Sequence, residues 1–141
     1  MKTLQTLTAA LLMFLSFNSF AADDLKSERL KMDYIIQTYI DATSYGRVKN
    51  LVNILDYDVK YTITRGKEIK NYSRTDILTQ LSYTKNVEQN CVTDYTVLEQ
   101  TANQSIVRVA MKYDGFTKVD LVSMSNTSKG WKITNISSSF M

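Results

Sequence analysis

The 141-residue chain contains no histidine, no proline and a single cysteine. Without histidine there is no Ser-His-Asp or Cys-His activation of a nucleophile, no imidazole proton shuttle and no histidine ligand for a metal. One cysteine excludes an intramolecular disulfide and a cysteine-based zinc site. The absence of proline removes slow X-Pro isomerisation from folding. Net charge is small too: 17 Lys+Arg stand against 14 Asp+Glu, a formal +3. No basic cluster adds to it, so the chain lacks the footprint of a nucleic-acid binder. What is present is a globular share of apolar residues, 44%, in a chain long enough for one domain.

The first segment, MKTLQTLTAALLMFLSFNSFA, reads as a secretory signal peptide spanning 1–21. Lys2 supplies the charged start, residues 9–17 the apolar run, and Ser19-Phe20-Ala21 the small residues of a cleavage site. The apolar run falls short of the ~20 residues of a membrane span. The expectation is therefore export to the periplasm or medium, no membrane insertion after cleavage, and a single domain over 22–141. That domain keeps all nine tyrosines but only Phe116 and Phe140 of the phenylalanines. A tyrosine-rich aromatic set suits a cavity wall that is partly wet, because each ring brings a hydroxyl.

Asp23 and Asp24 are placed to cap a helix running to about Tyr45, with Met32, Ile35, Ile36, Tyr39, Ile40 and Thr43 on one face. Gly46 stops it. Val48, Leu51, Val52 and Leu55 then predict a short second helix. The period changes at Tyr57, Val59, Tyr61 and Ile63, which alternate with polar residues as in a half-buried strand. Gly66, Lys67 and Glu68 mark a loop. Ser73 and Asp76 have capping-box spacing, and Tyr72 and Ile77 that of a hydrophobic staple, so a third helix starts there. After Lys85 the pattern predicts strands over about 88–99, 105–113, 116–125 and 131–140.

Asp114-Gly115 is the strongest hairpin signal, of the kind that suits a type I′ turn. A two-residue loop sets the register by counting. Tyr113 faces Phe116, Met111 faces Lys118, Val109 faces Asp120, and Val107 faces Val122. These share the more apolar face, which should point inward and carry Asp120 with it. Ile106, Arg108, Ala110, Lys112, Thr117, Val119, Leu121 and Ser123 form the outer face. It is half apolar, which suggests a homodimer through that face.

The element order is α+β: three helices, then a curved antiparallel sheet that wraps them around a conical cavity. The stretch Tyr39-Ile-Asp-Ala-Thr-Ser-Tyr-Gly-Arg-Val-Lys-Asn-Leu-Val-Asn-Ile-Leu55 resembles the helix pair that opens the nuclear transport factor 2-like (cystatin-like) superfamily. Ketosteroid isomerases, scytalone dehydratase and SnoaL-like polyketide cyclases belong to it. Asn90-Cys-Val-Thr-Asp-Tyr95, Met111-Lys-Tyr-Asp-Gly-Phe116 and Gly130-Trp-Lys-Ile-Thr-Asn135 look like a secreted bacterial branch labelled putative lumazine-binding. In the isomerases a tyrosine on the first helix binds the oxyanion, and Tyr39 matches it. Their general-base aspartate matches Ile63 when counted from Tyr39, and Thr62 and Thr64 flank it. An aliphatic chain takes no proton, so steroid-type isomerisation lacks its first step. Asp120 matches their second oxyanion partner approximately, the following turn being two residues longer here.

A carboxyl such as Asp120 on an apolar face either sits protonated in a cavity or is paired, and Lys118 and Arg108 are the candidate partners. Tyr39 and Tyr61 read equally well as cavity lining or as core aromatics. Met111, Tyr113 and Trp131 complete the expected ligand-binding set, although Trp131 serves core packing as readily. Cys91 reads as a small buried hydrophobe. Asp56, Asp58 and Glu68 are too scattered for a calcium loop, and neither metal nor cofactor is expected. Together these features predict a secreted or periplasmic small-molecule-binding protein with a tyrosine-lined pocket and no catalysis. The alternative is a SnoaL-like cyclase, lyase or isomerase with Asp120 as acid and Tyr39 as hydroxyl donor.

Overall fold

The computed structural model describes residues 31–141. The expected leader over 1–21 and the helix start at Asp23 and Asp24 lie outside the described residues. Contacts divide the chain into two units, Met1–Met32 and Asp33–Met141. Of the first, residues 31 and 32 are described and are helical.

In the second unit, helix α1 occupies residues 33–45, and its Ile35, Ile36, Tyr39, Ile40 and Ala42 are buried. Gly46 ends it at φ +67°, and a Cβ there would meet the carbonyl oxygen of Thr84 at 2.6 Å. Only glycine fits, because the loop after the third helix lies directly on this turn: Asn86 N–H donates to Gly46 O at 2.9 Å. A 3-10 turn, Val48–Asn50, leads into α2, Leu51–Ile54. Leu55 opens strand β1, Leu55–Arg65, rather than closing the helix. A register irregularity between Leu55 and Lys60 then leaves Tyr57 84% exposed, not inward with Val59 as alternation predicted.

The segment after Gly66 is a strand, β2, Glu68–Tyr72, paired back on β1. Its one aliphatic residue, Ile69, is 65% exposed, so no hydrophobic alternation marked it. Helix α3, Arg74–Tyr83, begins at the expected capping box, with Ser73 and Asp76 each bonded to the other's backbone N–H. Such a cap contributes about 1 kcal/mol. Residues 84–91 return to α1 as a loop, with Gln89 N–H donating to Ser44 O at 2.7 Å. Cys91 therefore precedes the next strand instead of lying in it.

Four strands follow: β3 Val92–Gln100, β4 Gln104–Lys112, β5 Thr117–Thr127 and β6 Gly130–Phe140. The six-stranded order is β2-β1-β6-β5-β4-β3. Four of its five pairings are antiparallel, whereas β1 and β6 run parallel, so the sheet is mixed and not the antiparallel one expected. A parallel neighbour needs a long crossover, and here everything from β2 to β5 supplies it.

The counted β4–β5 register is the observed one: Met111 opposite Lys118, Val109 opposite Asp120, Val107 opposite Val122. The turn differs from a type I′. Gly115 has φ +98°, and among the described residues only Asn86 is a non-glycine at positive φ, so Asp114 avoids it. A single bond, Tyr113 N–H to Phe116 O at 2.9 Å, closes the turn, and the two rings stack 4.6 Å apart. Val107, Val109, Met111, Asp120 and Val122 are all at most 1% exposed, so this face is the inner one. Among the described residues no helix is long and apolar enough to cross a membrane.

Candidate functional site

Three elements bring a polar cluster together beneath the inner face. Tyr39 stands on α1, Lys118 and Asp120 are two apart on β5 and so share a face, and Ser138 lies opposite Asp120 on β6. Asp120 is 0% exposed and accepts from three donors. Tyr39 Oη donates to its Oδ2 at 2.7 Å, Lys118 Nζ donates to the same oxygen at 3.0 Å, and Ser138 Oγ donates to Oδ1. Ser138 Oγ also lies 3.1 Å from Tyr61 Oη. With the serine proton committed to Asp120, that contact is filled by the tyrosine proton. Of the two candidate partners for Asp120, Lys118 is the one found. Arg108 pairs in register with Leu121, on the opposite face.

The electrostatics follow from burial. Loss of water around the Tyr39 hydroxyl, reinforced by the neighbouring Asp120 charge, holds its pKa well above 10.0. For Lys118, burial alone would lower the ammonium pKa. Asp120, then Tyr61, outweigh it, and the net shift is upward from 10.5. Burial also pushes the Tyr113 hydroxyl up, with the Cys91 thiol adding to it. Tyr39 and Lys118 are therefore worth most to the folded state while protonated. Their stabilisation is present below about pH 10, the ordinary range of both groups, and is lost as pH rises through their elevated folded values. Unfolding free energy should accordingly stay level near neutrality and fall above about pH 10, and Tyr39→Phe should make that fall shallower. Denaturant titrations across pH 7–11 check this; an identical alkaline slope in the variant would contradict it.

Above this floor is a cavity of about 200 Å³. Tyr39, Tyr61, Met111, Tyr113 and Lys118 line it, with Ile77, Leu81 and Ile136 as apolar wall and Thr43, Thr84, Gln80 and Gln89 as polar wall. Four of the six expected ligand-binding residues are thus gathered around one space. Asp120 is behind the wall, reached through Tyr39 and Lys118. Trp131, 4% exposed at the start of β6, is core and does not line the cavity. Ile63, at the isomerase base position, faces a neighbouring depression instead.

Counting along the hairpin already put Lys118 on this face, but only as a partner for Asp120, not as part of the wall. The contributions of α3 and of the 84–89 loop had no signal of their own. Among the described residues no three His, Cys, Asp or Glu side chains gather to hold a metal.

A protein family described as "putative lumazine-binding" matches residues 27–137. The chain belongs to that family. Comparison with solved structures shows that its fold is nuclear transport factor 2-like. A nuclear transport factor 2-like protein of unknown function from Silicibacter pomeroyi superposes with a TM-score of 0.68 at 14% identity, covering 82% of this chain and 98% of that one. One from Cytophaga hutchinsonii gives 0.62 at 17% identity, covering 80% and 98%. A cystatin-like fold protein from Burkholderia xenovorans gives 0.63 at 12%, covering 82% and 92%. No curated protein matches the sequence.

Proposed function

We propose that this lumazine-binding family member is an exported, non-catalytic carrier or sensor that holds one small, flat, partly polar molecule in the inner-face cavity. The observation that supports it most is the state of the cavity's polar groups. Tyr39 spends its proton on Asp120, so it offers a ligand lone pairs only. Asp120, the carboxylate bonded to the wall through Tyr39 and Lys118, is surrounded by three donors. Lys118 is held protonated, which disfavours it as a base or nucleophile but leaves N–H groups for an acceptor oxygen or nitrogen. Acid–base catalysis needs a group that exchanges protons near neutrality, and the enzyme alternative built on Asp120 and Tyr39 asks two groups bonded to each other to turn outward.

The family description directs attention to a pteridine, and lumazine has the required form: two fused rings with ring nitrogens and carbonyls as acceptors. A fluorescence titration of the chain with lumazine should show saturable binding, and Leu81→Trp, which sets a bulky ring in the cavity wall from α3, should abolish it. Binding unchanged by Leu81→Trp would place the ligand elsewhere and defeat this reading.

The outer sheet face, where Leu121 remains 40% exposed beside buried Ala110 and Val119, is proposed to meet a second copy. Leu121→Arg should then sediment as a folded monomer; a wild type that is already monomeric would remove the dimer.

A further inference from the structure

The cavity is smaller than the ~300–1,000 Å³ usual for ligand pockets, and it shares a wall with a second depression. Gln80, part of its wall, also lines a depression of about 310 Å³ with Ile63, Arg65, Glu68, Lys70 and Tyr72. Arg65 in turn lines a more open trough of about 440 Å³ with Gly66, Phe116 and Phe140. The aromatic surface is continuous as well. Tyr113 of the cavity wall stacks on Phe116 at 4.6 Å, Phe116 meets Phe140 at 6.1 Å, and the Arg65 guanidinium lies 4.5 Å from the Phe140 ring centre. The pleat accounts for the alignment. Phe140 is opposite Lys118, and Phe116 is two residues before it on the same face.

This shelf differs from an ordinary patch of exposed apolar side chains in two ways. Phe116 is 44% exposed although Met111, Val109 and Asp120 on the same face are buried. The Arg65 guanidinium also sits over the aromatic surface. Beyond the cavity the face carries Arg65 and Lys70 against Glu68, which is opposite Arg65, a balance of one positive charge. A guanidinium over a ring keeps its N–H edge for an oxyanion.

We propose that the Phe116–Phe140–Arg65 shelf is a second subsite for the cavity's ligand, taking a flat apolar group that bears an acidic substituent. The proposal rests on the cavity reading, because the shelf is the continuation of that site. A matched pair of fluorescent probes tests it: 8-anilinonaphthalene-1-sulfonate and its uncharged counterpart N-phenyl-1-naphthylamine. The sulfonate should bind about tenfold more tightly, the size of one charge-assisted hydrogen bond. Arg65→Gln should remove about that factor for the sulfonate and change the uncharged probe less than about twofold, while Phe116→Ala should weaken both. Arg65 and Phe116 are both exposed, so neither change threatens folding, and lumazine affinity should survive Arg65→Gln. Sulfonate affinity indifferent to Arg65→Gln or to Phe116→Ala would overturn the subsite. If lumazine still binds in that case, the shelf alone is refuted. If lumazine fails with the wild type while the sulfonate remains Arg65-dependent, the shelf stands as a site and the cavity reading is the one that falls.

Discussion

Asp120→Ala should destabilise the fold by about 3–5 kcal/mol, the range for removing one partner of a buried ion pair. The reason is what the substitution leaves behind. The Lys118 side chain is 17% exposed and would keep its charge with no counterion, while Tyr39 and Ser138 would lose their acceptor. Each buried donor left unmet adds to the cost. Asp120→Asn keeps the shape, and with its amide oxygen towards Tyr39 and Lys118 its NH2 can donate to the Ser138 hydroxyl, so its loss should be smaller. Adding Lys118→Met to Asp120→Ala should recover part of the loss, because the stranded charge goes too. Chemical denaturation of the three variants measures this. A loss under about 1 kcal/mol for Asp120→Ala would mean that water reaches the site and that the network is not closed.

Trp131→Ala should cost a comparable amount for an unrelated reason. The indole is 4% exposed on the inward side of β6, beside Ile133 at 0%. Truncating a buried Trp removes its transfer free energy and leaves a cavity, about 3–5 kcal/mol together. Because the indole does not line the inner-face cavity, the folded fraction of the variant should bind lumazine as the wild type does. Thermal unfolding with and without lumazine separates the two effects. A Trp131→Ala protein that stays stable but loses affinity would restore the tryptophan to the ligand site.

The hairpin shows how much of the site is legible without coordinates, and where legibility ends. Two residues of turn, counted outward, put Asp120, Lys118, Met111 and Tyr113 on one face, because side-chain direction alternates strictly. The same counting fails on the next hairpin. Thr127 pairs with Gly130, which would set Asp120 against Ser137. A bulge at Thr134 takes up one residue, so Asp120 meets Ser138 and the inward parity of β6 changes from Trp131 and Ile133 to Ile136 and Ser138. One extra residue turns every later side chain to the other face, and no composition signal announces it. The similar irregularity in β1 is why Tyr57 was expected inside and is outside. Strand β2 escaped notice because Glu68, Lys70 and Asn71 give it no apolar alternation; it is strand because β1 offers it a ladder. The walls from α3 and the 84–89 loop depend on tertiary docking, which local pattern does not encode.

The central claim is that a small flat molecule enters the space bounded by Tyr39, Tyr61, Tyr113 and Lys118. Methyl NMR of methionine-labelled chain titrated with lumazine tests it within one molecule. Met111 lines the cavity, whereas Met124, 1% exposed on β5, is core away from it. The account predicts a saturable shift of the Met111 methyl, from the ring current of the bound pteridine, with Met124 still. A Met111 signal that stays in place at saturating lumazine, or moves no more than Met124, would contradict it.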